Sequence, residues 1–317
     1  MAVAGPATTI TTQLSEQMKS YYDRLFLDVL EKTLRFDQFS YKRNIPVHEG
    51  DIIVFNRYLN FAAKTVALAE GTVSASNVLS GELVSATVVG YGDHILLSDL
   101  VQMAAIDPKL KGSIPRLAYQ AALTIDTLVR NEVRDNGTQT FVSTTQDLTA
   151  IIDTNVLLAD HIKDNVRALR TADVMPMDGE GNYVLLVHPN TAYDLMTDVS
   201  AGGWLDITKY MAKPELFKGE VGKIGGARVL ESSNVDRTTS GISAGATAAY
   251  YNTMIGHQAY ASVGLQQGNL RLIVKPTGSA GAADPIDQIG SAGWKVYFVA
   301  KVLDSARVRV IISGSAN

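Results

Sequence analysis

The residue types that carry out catalysis occur in this sequence, but their spacing completes no catalytic or nucleotide-binding motif. The run Gly222-Lys223-Ile224-Gly225-Gly226 has the composition of a phosphate-binding loop. No glycine stands at the required place before its Gly-Lys pair, and Ile224 occupies the position where such a loop needs serine or threonine. No Gly-x-Gly-x-x-Gly pattern follows a strand and opens a helix. We therefore interpret the run as a tight turn.

Metal or acid–base chemistry would depend on the five histidines, which show no metal-binding spacing. Three have an acidic neighbour in sequence, at positions 48–49, 93–94 and 160–161. Adjacent side chains point to opposite faces of a strand and diverge by about 100° on a helix, so adjacency creates no dyad. His188, followed by Pro189, is one candidate anion site, because it is expected at a strand end before a helix N-terminus.

Serine nucleophiles are not indicated either. The runs Gly278–Gly281 and Gly290–Gly293 each contain a serine between glycines, but neither matches the Gly-x-Ser-x-Gly elbow. We predict no catalytic, cofactor-binding or metal-ligating residue, and no cofactor.

Composition sets the frame for the whole chain. Its 317 residues are 46% hydrophobic, which is enough to bury one large core or two moderate ones. Lys plus Arg number 28 against 32 Asp plus Glu, so the formal charge of −4 argues against tight binding to duplex DNA. The absence of cysteine excludes disulfides and thiolate metal sites. No secretory or membrane-spanning pattern occurs, so we expect a cytoplasmic protein.

The N-terminal half predicts helices around a strand pair. Apolar residues from Leu14 to Phe36 recur at helical spacing, as in either an arm that packs on a neighbour or the first helix of the domain. Ile52–Phe55 and Val84–Val89 predict strands of a long two-stranded excursion, which needs a partner surface to be stable. We further expect a short helix from Ser98 to Met103 and a long one from Ser113, with Pro115 in its first turn and a left-handed stop at Asn136-Gly137.

The C-terminal half predicts a mixed α+β module. We expect a strand at 140–143, a helix at 149–169, a strand at Tyr183–Val187 and a helix opened by His188-Pro189 that runs through Met196. Later strands are expected at 227–230, 248–251 and 270–274. A loop over 275–293 then precedes two alternating runs, 294–302 and 306–312, which predict a β-hairpin.

Several stretches resemble one large branch of tailed-phage major capsid proteins. The longest is the run KPTGSAGAADPIDQIGSAGWK, from Lys275 to Lys295. The other stretches precede it in the chain. In sequence order they are Leu68–Gly71, Tyr91-Gly92, His188-Pro189 with Tyr193-Asp194-Leu195, and Phe217–Glu231.

The resemblance implies an α+β chain with the Johnson fold, first known from the Hong Kong 97 phage. This fold has an N-terminal arm, an extended β-hairpin loop, a peripheral domain with a long spine helix, and an axial domain. The implied boundaries are 1–45 for the arm, 46–95 for the extended loop, 96–180 for the peripheral domain, 181–274 for the axial domain, and 275–317 for C-terminal strands that return to the peripheral domain.

The resemblance also implies a structural role and not an enzymatic one. Copies would form hexamers and pentamers of an icosahedral shell around a double-stranded DNA genome, in the virion capsid, after assembly in the host bacterial cytoplasm. Scaffolding, portal and decoration proteins are the implied partners, together with weak, non-specific DNA contact and no membrane. Some relatives form lysine–asparagine cross-links near the position of Lys64, which we interpret as an ordinary surface lysine.

Two alternatives remain open at this point. The same fold could form an encapsulin-like nanocompartment, which would need a groove for a cargo peptide. A cytosolic hydrolase with Asp, Glu and His residues in a cleft is a poorer third possibility, because no coherent nucleophile, metal or nucleotide motif is present.

Overall fold

The computed structural model describes residues 35–67, 70–71, 73, 76–100, 109–198, 220–275, 286 and 288–316. The helix predicted from Leu14 lies almost wholly outside the described residues, as do residues 101–103 of the helix predicted at 98–103; of its described residues, Ser98 ends a strand and 99–100 are helical. The helices are α1 (Lys109–Asn136), α2 (Ala159–Thr171) and α3 (Pro189–Met196). The strands are β1 (Tyr41–Ile45), β2 (Ile52–Tyr58), β3 (Gly81–Thr87), β4 (Val89–Ser98), β5 (Thr138–Phe141), β6 (Tyr183–Val187), β7 (Glu220–Ile224), β8 (Ala227–Glu231), β9 (Arg237–Thr238), β10 (Ala249–Ile255), β11 (Tyr260–Leu265), β12 (Arg271–Lys275), β13 (Ile289–Val302) and β14 (Val308–Ser313).

A five-stranded sheet packs against α1. Its order is β1-β11-β13-β12, and β4 also pairs with β13. Alternate residues of β13 point towards the helix, because side chains of a strand alternate between its two faces. The resulting core joins Trp294, Val296 and Phe298 of the sheet to Leu117 and Ala121 of α1. The long helix predicted in this region is therefore present, with an apolar face that packs on the sheet.

The ends of α1 differ from the prediction. The helix begins at Lys109 and not at Ser113, so Pro115 lies inside it. Proline there removes one backbone donor and its ring crowds the carbonyl of the residue four positions earlier, yet the helix continues through it. The helix ends at Asn136 as predicted, but Gly137 does not have a positive φ. Glycine is needed for a different reason: a Cβ at 137 would lie 2.7 Å from the carbonyl oxygen of Val133 and 2.8 Å from Cγ1 of Val308.

A seven-stranded sheet forms the second half of the molecule. Its order is β5-β14-β10-β6-β8-β7, and β9 pairs with β10. Every residue of β6 is buried. Tyr183, Leu185 and Val187 pack with α2, whereas Val184 and Leu186 join the core beneath α1. This sheet thus has apolar cover on both faces, and the predicted strand at 183–187 is confirmed in full.

The glycine-lysine run forms the turn between β7 and β8, as predicted. The two strands pair antiparallel, with Ile224 opposite Ala227. Gly225 and Gly226 have φ angles of 57° and 93°, which a two-residue hairpin turn of this hand requires at both positions.

The helix predicted at 149–169 is wrong in its first half. A short 3-10 turn at Leu148–Ala150 is followed by irregular chain, and α2 begins only at Ala159. The Asp153 carboxylate accepts the backbone N–H of Thr247 at 2.7 Å, and Asn155 accepts the N–H of Ile152 at 2.9 Å. Such side-chain bonds to the backbone offer an alternative to helix, which apolar spacing alone does not reveal.

The predicted C-terminal hairpin is also wrong. β13 belongs to the five-stranded sheet, whereas β14 pairs with β10 and β5 in the seven-stranded sheet. The connection turns at Asp304, whose carboxylate accepts the N–H of Ala306 at 3.0 Å. Moreover, β13 already starts at Ile289, so Gly290–Gly293 are strand residues and not part of the predicted loop.

Candidate assembly surfaces

The two-stranded excursion predicted from the sequence is present as a separate antiparallel sheet of β2 and β3. Its register places Ile52 opposite Thr87 and Tyr58 opposite Gly81. Because neighbouring residues alternate between faces, Ile53 and Phe55 lie on one face of this hairpin, and Ile52, Val54 and Tyr58 on the other. Each face of the hairpin therefore carries apolar side chains.

The first face of the hairpin is covered by the body of the subunit. Ile53 and Phe55 pack against a small core that contains Ile45 of β1 and Val263 of β11. The backbone N–H of Val88 donates to the carbonyl of Asp51 at 2.8 Å at the base of the hairpin. These contacts fix the hairpin against one half of the outer surface of the five-stranded sheet.

An ionic contact holds the same face. The Arg57 guanidinium pairs with Asp304, which lies in the connection between the two large sheets, and with Glu82 across the hairpin. Around this contact lies a cleft of about 580 Å³, lined by hairpin residues and by Gln258, Leu303 and Arg307. The hairpin is therefore attached to the body by apolar packing and by charge.

The second face of the hairpin has no cover within the described chain. Ile52 and Val54 are each 54% exposed, Tyr58 61% and Leu83 71%. The apolar exposure continues beyond the strands at Leu59, Phe61, Val66, Val78 and Leu79. Contiguous apolar surface of this kind is uncommon on a monomeric soluble protein and marks an interaction site.

The return strand of the excursion, β4, is anchored to α1. The Gln120 amide donates to the Asp93 carboxylate at 2.5 Å and accepts the indole N–H of Trp294 at 3.2 Å. The hydrogen bond from Gln120 and the backbone N–H of His94 lower the pKa of Asp93. The direction in which the excursion leaves the body is thus tied to the long helix.

The described residues leave the other half of the outer sheet surface open. A groove of about 660 Å³ runs over β12, β13 and β4, with Gly92 and Gly293 in its floor and Lys275, Lys295 and Tyr297 along it. Tyr297 also belongs to the core under the hairpin. Within the described part of the chain, one sheet surface is therefore half covered by the subunit's own hairpin and half uncovered.

The histidines take structural positions. The Nδ1 atom of His188 accepts the N–H of Asn190 at 3.2 Å, so it caps α3, and burial lowers its pKa. The Nδ1 atom of His161 accepts the N–H of Leu158 at 3.2 Å, and burial lowers its pKa as well. The Asp93 carboxylate accepts the backbone N–H of His94 and not its ring.

Among the described residues, no group of three or more His, Asp or Glu side chains is arranged to hold a metal ion. Within the same part of the chain, no helix is both long enough and apolar enough to cross a membrane.

A buried charged residue that sequence reasoning missed is Asp126, a carboxylate only 2% exposed within α1. It lies four residues after Ala122 and three before Val129, both fully buried, so it interrupts an otherwise apolar helix face. That interruption was the available signal.

Comparison with known proteins gives the family. A model described as "Phage capsid protein" matches residues 84–311, well over half of the chain. No curated protein matches the sequence. Among solved structures, the fold is similar to the capsid of Ralstonia phage GP4 (TM-score 0.70, 14% identity, 100% of this chain and 96% of that chain covered).

Two further structures have a similar fold. One is the capsid asymmetric unit of Cyanophage Pam1, with a TM-score of 0.66 and 13% identity over 100% of this chain and 98% of that one. The other is a virus-like particle from Pyrococcus furiosus, with a TM-score of 0.52 and 10% identity over 94% of this chain and 100% of that one. The family match favours neither the nanocompartment nor the hydrolase alternative. The chain therefore belongs to the phage capsid protein family: it has the Hong Kong 97-type α+β fold and is a structural, non-enzymatic shell protein of a virion capsid.

Proposed function

We propose that copies of this chain assemble into the hexamers and pentamers of an icosahedral shell that encloses the double-stranded DNA genome of a phage. The observation that carries the proposal is the uncovered apolar face of the β2–β3 hairpin, with Leu83 71% exposed. A two-stranded sheet is marginal in water unless its faces are covered. A neighbouring copy supplies that cover.

The open groove beside the hairpin is the complementary surface. It continues the sheet surface on which the subunit's own hairpin already rests, and it ends at the same residue, Tyr297. Each pairwise contact need contribute only a few kcal/mol, since a subunit held by several neighbours gains from effective concentration. Shell closure then results from many modest interfaces.

We divide the chain into domains at the boundaries that the resemblance implies, before regrouping three strands. These are an arm at 1–45, an extended loop at 46–95, a peripheral domain at 96–180, an axial domain at 181–274 and returning strands at 275–317. Two observations refine how the strands are shared. Strands β11 and β12 lie in the sheet with α1, and β14 lies in the sheet with α2. We group them accordingly with the peripheral and axial domains.

The remaining partners follow from the role of the shell. The net charge of −4 on each chain suits a shell wall that contacts packaged DNA weakly and without sequence preference. Assembly takes place in the host bacterial cytoplasm, with scaffolding, portal and decoration proteins as further partners and without a membrane.

The test is electron microscopy of the high-mass fraction after the chain is expressed alone in bacteria. We expect uniform closed shells from the wild-type chain and from Leu83→Met, which keeps an apolar side chain. Leu83→Glu places a charge on the uncovered face and should leave soluble subunits without shells. Shells at unchanged yield from Leu83→Glu would contradict the role of this face.

The arm has a separate test. Residues 36–45 contribute Phe36, Phe39 and β1 to the cores, so the informative deletion removes residues 1–34 only. We expect a folded subunit that no longer closes shells. Normal shells from this deletion would contradict the arm assignment.

A further inference from the structure

Both the N–H and the carbonyl group of Phe36, and the N–H group of Arg35, are hydrogen-bonded to side chains from distant parts of the chain. The backbone N–H groups of Arg35 and Phe36 donate to one carboxylate oxygen of Asp126, at 2.9 and 2.7 Å. The hydroxyl of Tyr260 donates to the carbonyl oxygen of Phe36. The Phe36 side chain itself is fully buried in the main core. The position and the direction of the backbone are therefore both fixed at this point.

The second carboxylate oxygen of Asp126 is held from another part of the chain. It accepts the side-chain amide of Asn234 at 2.6 Å. The orientation of that amide is set in turn by Arg130, which donates to the Asn234 side-chain oxygen at 3.2 Å and to its backbone oxygen at 3.0 Å. Arg130 thus donates to Asn234 and Asn234 donates to Asp126, which accepts from the backbone of residues 35 and 36 with its other oxygen.

The three residues that meet at the entry come from different elements. Asp126 lies in α1, Asn234 follows β8 of the seven-stranded sheet, and Tyr260 begins β11 of the five-stranded sheet. The backbone at Phe36 is thus hydrogen-bonded to α1 and to the five-stranded sheet, and through Asp126 it is connected to the seven-stranded sheet. A change in its direction would require several bonds to break together.

A carboxylate is a costly choice for this place if packing alone were required. Burial of Asp126 raises its pKa, against the opposing effect of the Asn234 amide and the backbone N–H groups of residues 35–37. A small apolar residue would fill the helix face without that desolvation cost. The acceptor capacity of the carboxylate serves the entering backbone and the Asn234 amide together.

We propose that Asp126, oriented by Asn234, is a positioning residue that fixes the course of the backbone at Arg35 and Phe36, where the proposed arm joins the described part of the subunit, and so prepares the arm to engage a neighbouring copy during assembly. The inference rests on the proposed shell assembly and on the arm within it. It assigns to one buried carboxylate the control of that arm.

The first test is Asp126→Asn. Its oxygen can still accept from the backbone of residues 35 and 36, but its amide then meets the amide of Asn234, donor against donor. Asn234 cannot turn over without losing the bond from Arg130. We expect hydrogen exchange of the Arg35 and Phe36 amides to rise about tenfold in unassembled subunits, as for the loss of a hydrogen bond to a charged group. The yield of closed shells should fall by a similar factor.

The double variant Asp126→Asn with Asn234→Asp provides the rescue. It reverses the donor and the acceptor, and it presents a carboxylate to Arg130. We expect exchange and shell yield to return towards wild type. Asp135→Asn is the matched control, because Asp135 lies on the same helix, is exposed, and pairs with Arg134 away from the entry. That control should change neither measurement.

Should Asp126→Asn fail to fold, Tyr260→Phe decides the matter. It removes the one hydroxyl bonded to Phe36 and leaves α1 intact, and we expect the same direction of change in exchange and in shell yield. Faster exchange with normal shell yield, or no change in either, would overturn the positioning role. Normal shells from the deletion of residues 1–34 would instead overturn the arm assignment, whatever the Asp126 variants do.

Discussion

Strand β2 of the hairpin and strand β6 of the seven-stranded sheet are both rich in apolar residues but have different surroundings. In β6 every residue is buried, since α2 covers one face and the core beneath α1 covers the other. In β2 exposed and half-buried residues alternate, and the exposed ones include Ile52, Val54 and Tyr58. Strand β6 is covered on both faces within one subunit, whereas the described residues cover only one face of the hairpin. The comparison separates residues that serve folding from residues that serve assembly.

The largest effect should come from shortening a core leucine. Leu186 of β6 is fully buried, so Leu186→Ala should lower the free energy of unfolding by about 2–5 kcal/mol. The matched change Leu83→Ala, on the exposed face of the hairpin, should alter it by less than about 0.5 kcal/mol. Chemical denaturation of unassembled subunits measures both. Equal losses at the two positions would break the comparison.

The next effect concerns the join between α1 and the seven-stranded sheet. Gly137→Ala brings a methyl group against Val133, Val308 and Val310, and should lower the free energy of unfolding by about 1–3 kcal/mol. Gly179→Ala, where nothing lies within 4 Å, is the control and should have little effect. Thermal unfolding of the two variants checks this, and equal midpoints would show that the close approach at Gly137 is not required.

An effect of similar size at neutral pH is electrostatic, and it disappears in acid. Burial would raise the pKa of Asp178, but hydrogen bonds from Asn182 and Arg228 outweigh it and lower the pKa below its usual value of 3.8. A lowered pKa means that this carboxylate stabilises the fold above its ordinary pKa and loses that contribution as the pH falls through the lowered value.

We therefore expect Asp178→Asn to lower the free energy of unfolding by about 1–3 kcal/mol at pH 7, with the difference from wild type vanishing in strong acid. Asp160→Asn, at an exposed ion pair with Lys163, is the control and should cost less than about 1 kcal/mol. Denaturation midpoints across the acid range give the result. A difference that grows on acidification would reverse the sign assigned to Asp178.

The local sequence was sufficient to predict an element where the residues at its two ends mark where it begins and stops. The run Tyr183–Val187, followed by His188-Pro189, predicted both β6 and α3 at their observed limits. The hairpin was predicted as well, because its strands are close in sequence. By contrast, β11 was missed: its alanine, serine and glycine carry little strand preference, and it is stabilised by parallel pairing with the distant β1.

Long-range contacts account for the rest of what sequence did not predict. The hairpin is attached through Arg57 and Asp304, which are 247 positions apart. The backbone at Phe36 is held by Asp126, which is oriented by Asn234, 108 positions away. Residues 294–312 alternate as a hairpin does, yet the two runs enter different sheets. Neither the periodicity nor the composition of a segment indicates which distant residue it will contact.

The most direct test of the account is hydroxyl-radical footprinting of Tyr58 and Leu83 in unassembled subunits and in closed shells. Both side chains are more than half exposed in the subunit and should be labelled readily there. If neighbouring copies cover the outer face of the hairpin, labelling should fall several-fold on assembly, whereas the fully buried Tyr183 should stay weakly labelled in both states. Unchanged labelling of Tyr58 and Leu83 in closed shells would contradict the claim that this face is an assembly surface.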